Sequence, residues 1–425
     1  MTLAPPSTRR LPHRAWGVAA VTFVVLLGAA GFRATPGVLI VPLQDEFGWS
    51  TGTISLAASV NLLLFGLTAP FAAALMERFG MRRVVATALV AIALGSALTT
   101  RMTASWQLVA LWGVLVGIGT GSMALVFAAT VANRWFVARR GLVTGILTAG
   151  SATGQLVFLP LLGVLVEGSG WRSASLAVSI AALAVVPLVL LLLRERPSDL
   201  GLLPYGASVA DEPPPAVGSP ARAALLALRG ASRRPAFWLL AGGFAICGAS
   251  TNGLVGTHFI PAAHDHGMGV TTAASLLALV GVFDIVGTIA SGWLTDRVDS
   301  RILLAWYYAL RGLSLFALPA LFSAAPEAKI LIFVLFYGLD WVATVPPTVA
   351  LCRELFGARG TLVFGWVFAS HQIGAAAAAL AAGAVRTSFG SYDLAFLLAG
   401  ALCLAAAGMS LAIVRPAPDR TTVGA

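Results

Sequence analysis

Charge is scarce in this chain. Of 425 residues only 17 are Asp or Glu, and all charged residues together make up 10%. A soluble domain carries about a quarter charged residues, so a water-facing surface of ordinary extent is excluded. Cysteine is scarcer still. Cys247, Cys352 and Cys403 lie in or near apolar stretches at unrelated spacings, which excludes a disulfide framework and a thiolate metal site and leaves small buried side chains. No nucleophile–base pair, metal-ligand cluster or soluble catalytic domain is legible, so the chain reads as neither an enzyme nor a cofactor or metal protein.

Apolar length is abundant. Hydrophobic residues make up 58% of the chain and the mean hydropathy is +0.90. About twelve runs are long enough to cross a bilayer: 15–42, 52–76, 83–103, 105–133, 141–166, 173–193, 236–263, 271–295, 302–323, 328–350, 361–385 and 393–414. They are long, continuous and non-alternating, which reads as helices rather than barrel strands and predicts an all-α membrane protein. The first run, from Ala15 to about Val41, is too long for a cleaved signal segment and reads as a membrane helix.

Bases outnumber acids, for a net charge of +10. The placement of that excess argues against nucleic acid as the partner. With the N-terminus inside, twenty-one arginines between Arg9 and Arg420 fall on the inner side, against Arg101, Arg172, Lys329 and Arg386 outside. This is the positive-inside asymmetry, with both termini cytoplasmic. Arg33 and Arg311 alone remain within runs.

The segment 194–235, rich in Pro, Gly, Ser and Arg, separates six runs from six. The expected units are residues 1–193, the linker 194–235 and residues 236–425. Within the linker "ARAALLALRG" suggests a short helix on the inner leaflet. An internal repeat supports the division. Leu75 and Glu77 fall on Leu294 and Asp296 at a shift of 219 residues, and Phe136, Arg139, Gly145, Ala149 and Gly154 fall on Phe356, Arg359, Gly365, Ala369 and Gly374 at 220.

The loop after the second run, with Leu75, Glu77, Arg78, Gly80, Arg82 and Arg83, and its second copy, with Gly292, Leu294, Asp296, Arg297 and Arg301, resemble the major facilitator superfamily. Two departures are Ala73 and Glu77, where Gly and Asp are usual. "WFVARRGLVTGILTAGSATG" (135–154) resembles the helix-five signature of monocarboxylate porters through Trp135, Phe136, Arg139, Arg140, Leu142, Gly145, Ala149 and Gly150. The acidic-Gly start that precedes helix one in that family is absent. The resemblance implies twelve membrane helices in two pseudo-symmetric six-helix bundles, rocking about a central site lined by helices one, four, seven and ten. It implies a proton-coupled secondary transporter of a small organic anion, a monocarboxylate, working as a monomer in the lipid bilayer of a bacterial inner membrane. Two other readings stay open: proton-driven efflux of an amphipathic compound, and a non-transporting sensor.

Charges at bilayer depth cost roughly 2.5–3.5 kcal/mol or more each, so each calls for a reason. Arg33 lies in the outer half of helix one, just before Pro36 and Gly37. A cation there resembles the carboxylate receptor of monocarboxylate porters, and a fork of donors suits a carboxylate; a structural ion pair is the alternative. Asp284, mid-depth in helix eight, is a candidate proton carrier, and Asp340 in helix ten is another. The family's usual Arg four residues after the helix-eight Asp is Thr288 here, so Arg311 of helix nine is the expected cation, either in proton coupling or bracing Asp284. Asn252, His258 and His371 are candidate substrate contacts or interhelical hydrogen-bond partners. Glu77, Arg78, Asp296 and Arg297 are expected to latch the cytoplasmic ends of the bundles.

Overall fold

The computed structural model describes residues 13–34, 42–43, 45–49, 51–208, 219–268, 270–323 and 328–414. Lipid offers the backbone no hydrogen bonds, so the apolar runs close their own i→i−4 ladders. The resulting helices are α1 (Arg14–Ala34), α2 (Thr51–Phe79), α3 (Met81–Thr99), α4 (Ser105–Trp135), α5 (Arg140–Ser169) and α6 (Trp171–Leu192). A linker helix, Pro220–Ala231, follows. After it come α7 (Pro235–Asp265), α8 (Val270–Thr295), α9 (Ser300–Ala317), α10 in two pieces (Ala328–Asp340 and Val345–Phe356), α11 (Gly360–Phe389) and α12 (Asp393–Leu411). Ten stretches are long and apolar enough to cross a membrane. One of them, Ala328–Arg386, holds both α10 and α11, and the 30-residue α5 completes about twelve spans. The described residues form no strand beyond an isolated bridge between Phe136 and Tyr205.

Among the described residues α4, α7 and α10 are interrupted within their spans by π-helical stretches or breaks, and all three belong to the set expected to line a pathway. α4 carries a π-helical stretch, Val109–Val116, and breaks at Met123 and Ala124, the backbone being extended at Ala124. α7 carries another π-helical stretch, Ala249–Val255. α10 was expected as one continuous run but opens into turns at residues 341–344. Met123 and Ala124 lie 220 residues before Ala343 and Thr344, so the shift of the sequence repeat carries one break onto the other.

Packing follows the small residues. Across the middle of the molecule α5 lies along α8 and α2 along α11, while α1 packs on α5, α3 on α6, α7 on α11 and α9 on α12. One buried apolar cluster lies within residues 15–193 and another within 254–403. A third joins the two parts, with Phe65, Ala69 and Ala73 of α2 against Val363, Val367 and Phe368 of α11.

Candidate functional site

Opening α10 at residues 341–344 frees backbone groups that must find partners in a dry interior. They find side chains. Arg311, on α9 and buried, donates from Nε to Asp340 Oδ2 at 2.6 Å and from Nη2 to the carbonyls of Asp340 (2.6 Å) and Trp341 (3.2 Å). Its Nη1 reaches Cys247 Sγ (2.9 Å) and Ser250 Oγ (3.5 Å) on α7. A guanidinium has five N–H donors, and these five contacts leave none for a substrate. From α8, Asp284 Oδ1 accepts from the Val342 N–H at 3.0 Å and from Thr288 Oγ1 at 2.7 Å, and Ser291 Oγ donates to the Ala343 carbonyl at 2.5 Å. Tyr337 donates to the Ser250 carbonyl at 2.8 Å. Both carboxyls are buried, and Asp340 Oδ1 has no hydrogen-bond partner among the described residues.

Asp284, Arg311 and Asp340 therefore meet at one place, but not as the sequence suggested. The cation of α9 pairs with Asp340, not Asp284. The guanidinium follows the carbonyls of the opened turn, which sit beside the Asp340 carboxylate that it binds at 2.6 Å, and Thr288, one helical turn after Asp284, supplies a hydroxyl where a cation was expected. That i, i+4 spacing was a legible signal for Thr288. Nothing in the sequence pointed to Cys247, Ser250 or Ser291.

The other candidates are dispersed. Arg33 ends α1, and its side chain lies outside the described residues, as do Pro36 and Gly37. Asn252 sits exposed on the π-helical stretch of α7. His258 is bound through Nε2 to the Ala379 carbonyl of α11 at 2.9 Å and lies against Tyr392. His371 is buried between the rings of Phe244 and Phe368.

At the end where the linker lies, Asp296 crosses between the two parts of the chain. Its Oδ1 and Oδ2 accept from the N–H groups of Gly141 (2.7 Å) and Leu142 (3.0 Å) in the first turn of α5, a charge-assisted cap on a helix N-terminus. Nearby, Arg353 Nη1 donates to the Asn133 carbonyl at 3.2 Å and Asn133 Nδ2 to Thr361 Oγ1 at 3.2 Å. Glu77 lies in the electrostatic reach of Arg134, Arg196 and Arg359. Arg78 turns onto the ring of Phe79 at the end of α2, and Arg297, just past the end of α8, onto the ring of Trp293, at 5.2 and 4.0 Å. A further acid, Glu195, was missed: it caps α3 at the N–H groups of Met81 (2.6 Å) and Arg82 (2.9 Å).

Residues 21–363 match the profile described as Major Facilitator Superfamily. Monocarboxylate transporter 13 of Bos taurus is 30% identical over 95% of this chain and 90% of its own length. The uncharacterized MFS-type transporter YcxA of Bacillus subtilis (strain 168) is 27% identical over 95% of each chain. The fold is similar to that of the Escherichia coli fucose:proton symporter, with a TM-score of 0.67 at 18% identity, covering 94% of this chain and 100% of that one.

Proposed function

The chain belongs to the Major Facilitator Superfamily, whose members related to it are transporters rather than enzymes, and from that premise we propose that it is a proton-coupled porter of a small organic anion, a monocarboxylate. The observation that carries this reading is the composition of the buried cluster at the break in α10: one guanidinium and one carboxyl bound to the broken turn, and a second carboxyl, Asp340, bound to that guanidinium. A charge in the bilayer interior is retained for function or pairing. Arg311 neutralises Asp340. Among the described residues Asp284 is bound by a hydroxyl and a peptide N–H and forms no salt bridge, and so is the seat of the transported proton. Its arrival or departure alters the hold on the Val342 N–H, and through it the break in a pathway helix.

The anion meets Arg33 on α1. The relatives named as monocarboxylate transporters support that substrate class. Residues 1–193 and 236–425 rock about the midplane, and Asp296 with Glu77 closes the linker end in one state. The positive-inside asymmetry supports a cytoplasmic position for that end and both termini; the protein works as a monomer in the inner membrane of a bacterial cell.

The test is uptake of a panel of labelled monocarboxylates into proteoliposomes with and without an inward proton gradient. One carboxylate accumulates only with the gradient; Arg33→Ala abolishes its binding; Asp284→Asn abolishes gradient-driven accumulation but leaves exchange of substrate across the bilayer. Transport by Arg33→Ala at the wild-type rate overturns the role of Arg33. Accumulation by Asp284→Asn overturns the proton step.

A further inference from the structure

The linker helix Pro220–Ala231 has two faces. Ala224, Ala227 and Ala231 are buried on one side, where the helix rests on both α2 and α11. Arg222, Leu225, Leu226 and Arg229 are exposed on the other, with Arg233 just past its end. At 3.6 residues per turn these five fall within a stripe about 100° wide. Leu225 and Leu226 are 53% and 44% exposed, costly if they faced water alone.

Two contacts fix the height of this helix along the spanning bundle. Trp366 donates from Nε1 to the Ala224 carbonyl at 2.9 Å. It lies six residues into α11, about 9 Å along the axis. Its ring lies against Phe71 of α2 at 5.8 Å, and Phe71 stands eight residues, about 12 Å, before the end of that helix. The linker helix therefore runs beside the last turns of the spanning helices, at the level of the bilayer interface. Trp238, the next exposed aromatic, is 60% exposed and donates to the Ser232 carbonyl at 2.8 Å, as an interfacial tryptophan does. No acid occurs between Ser219 and Leu240. Arg234 is committed elsewhere, to the Leu355 carbonyl at 2.7 Å, which leaves Arg222, Arg229 and Arg233 facing outward.

We propose that the outward stripe of the linker helix is a binding surface for the anionic headgroups of the leaflet on the linker side, with Leu225 and Leu226 among the acyl chains and Arg222, Arg229 and Arg233 reaching to the phosphates. Leucines flanked by cations on one face of an interfacial helix, over small residues packed on the protein, match that partner in both charge and depth. This does not rest on the identity of the transported substrate.

The experiment is native mass spectrometry of the purified full-length protein in neutral detergent, offered phosphatidylglycerol and phosphatidylcholine at equal concentration. Wild type retains the anionic lipid on the order of tenfold or more over the zwitterionic one, a preference that falls with added salt. The triple variant Arg222→Gln/Arg229→Gln/Arg233→Gln loses the preference while its helical circular dichroism is unchanged. The single variant Arg229→Gln, which disturbs folding least, lowers it about fivefold. Equal retention of phosphatidylglycerol by wild type and both variants overturns the proposal, and leaves the stripe to a protein partner or a second copy of the chain.

Discussion

Arg311 is buried and makes five side-chain contacts with described residues, which define what removing it does. Arg311→Ala strands the Asp340 carboxylate and two backbone carbonyls in a dry interior. Breaking a buried pair from one side costs about 3–5 kcal/mol, whereas replacing both partners by apolar groups costs much less. We expect Arg311→Ala to lower the unfolding midpoint in detergent sharply and Arg311→Met/Asp340→Leu to recover most of the loss. A double variant as unstable as the single one would contradict the pairing.

A second residue-scale prediction concerns Glu46, outside the spanning helices. The Arg172 guanidinium grips its carboxylate at 2.6 and 2.7 Å and Trp171 Nε1 donates at 2.7 Å, which pushes the carboxyl from 4.5 down to about 2. A depressed carboxyl stabilises the fold above its unfolded value and loses that contribution as pH falls through the folded one. The destabilisation of Glu46→Gln is therefore present at neutral pH and fades between pH 4.5 and about 2. Because the pair is exposed, the effect is small and shrinks with salt. Unfolding midpoints across pH, at low and high salt, check both.

At the scale of the element, the break in α10 depends on how closely α8 lies beside it. A Cβ on Gly287 would collide with the Leu339 carbonyl of α10, which is backbone and has nowhere to go. Gly287→Val must push the helices apart, weakening the Asp284–Val342 hydrogen bond. The expected cost is about 1–3 kcal/mol, read as a lower unfolding midpoint, together with a loss of gradient-driven transport larger than the loss of exchange. Normal coupling in a stably folded Gly287→Val would show that the Asp284 contact to α10 is dispensable.

Over the whole molecule, the two parts of the chain meet at the linker end through Asp296 on the first turn of α5 and the direct approach of Gly292 to the Gly141 carbonyl, the contacts proposed above to close that end. Hydrogen bonds to a charged acceptor are worth about 1.5–3 kcal/mol each. Asp296→Ala should therefore shift the population toward the state open at that end. Distances between spin labels on α5 and α8 at the linker end should gain a longer component, with the opposite end shortening. An unchanged distribution would assign the closure to the glycine contact alone.

Much of this architecture was already determined by the sequence. The span count and the repeat follow from where apolar length and small residues recur, because a bilayer leaves the backbone few solutions. The same constraint marked Asp284, Arg311 and Asp340, since a charge in an apolar run is conspicuous in one dimension. Their pairing was decided only by the tertiary structure. Arg311 is 27 residues from Asp284 and 29 from Asp340, and sequence separation does not say which helix faces which. The open turn at residues 341–344 decides it: freed carbonyls draw the guanidinium and a freed N–H draws the other carboxylate. Likewise Asp296 was legible as a loop acid, but its grip on α5 exists only because Gly141 and Gly292 let two helix ends, far apart in the chain, come into contact.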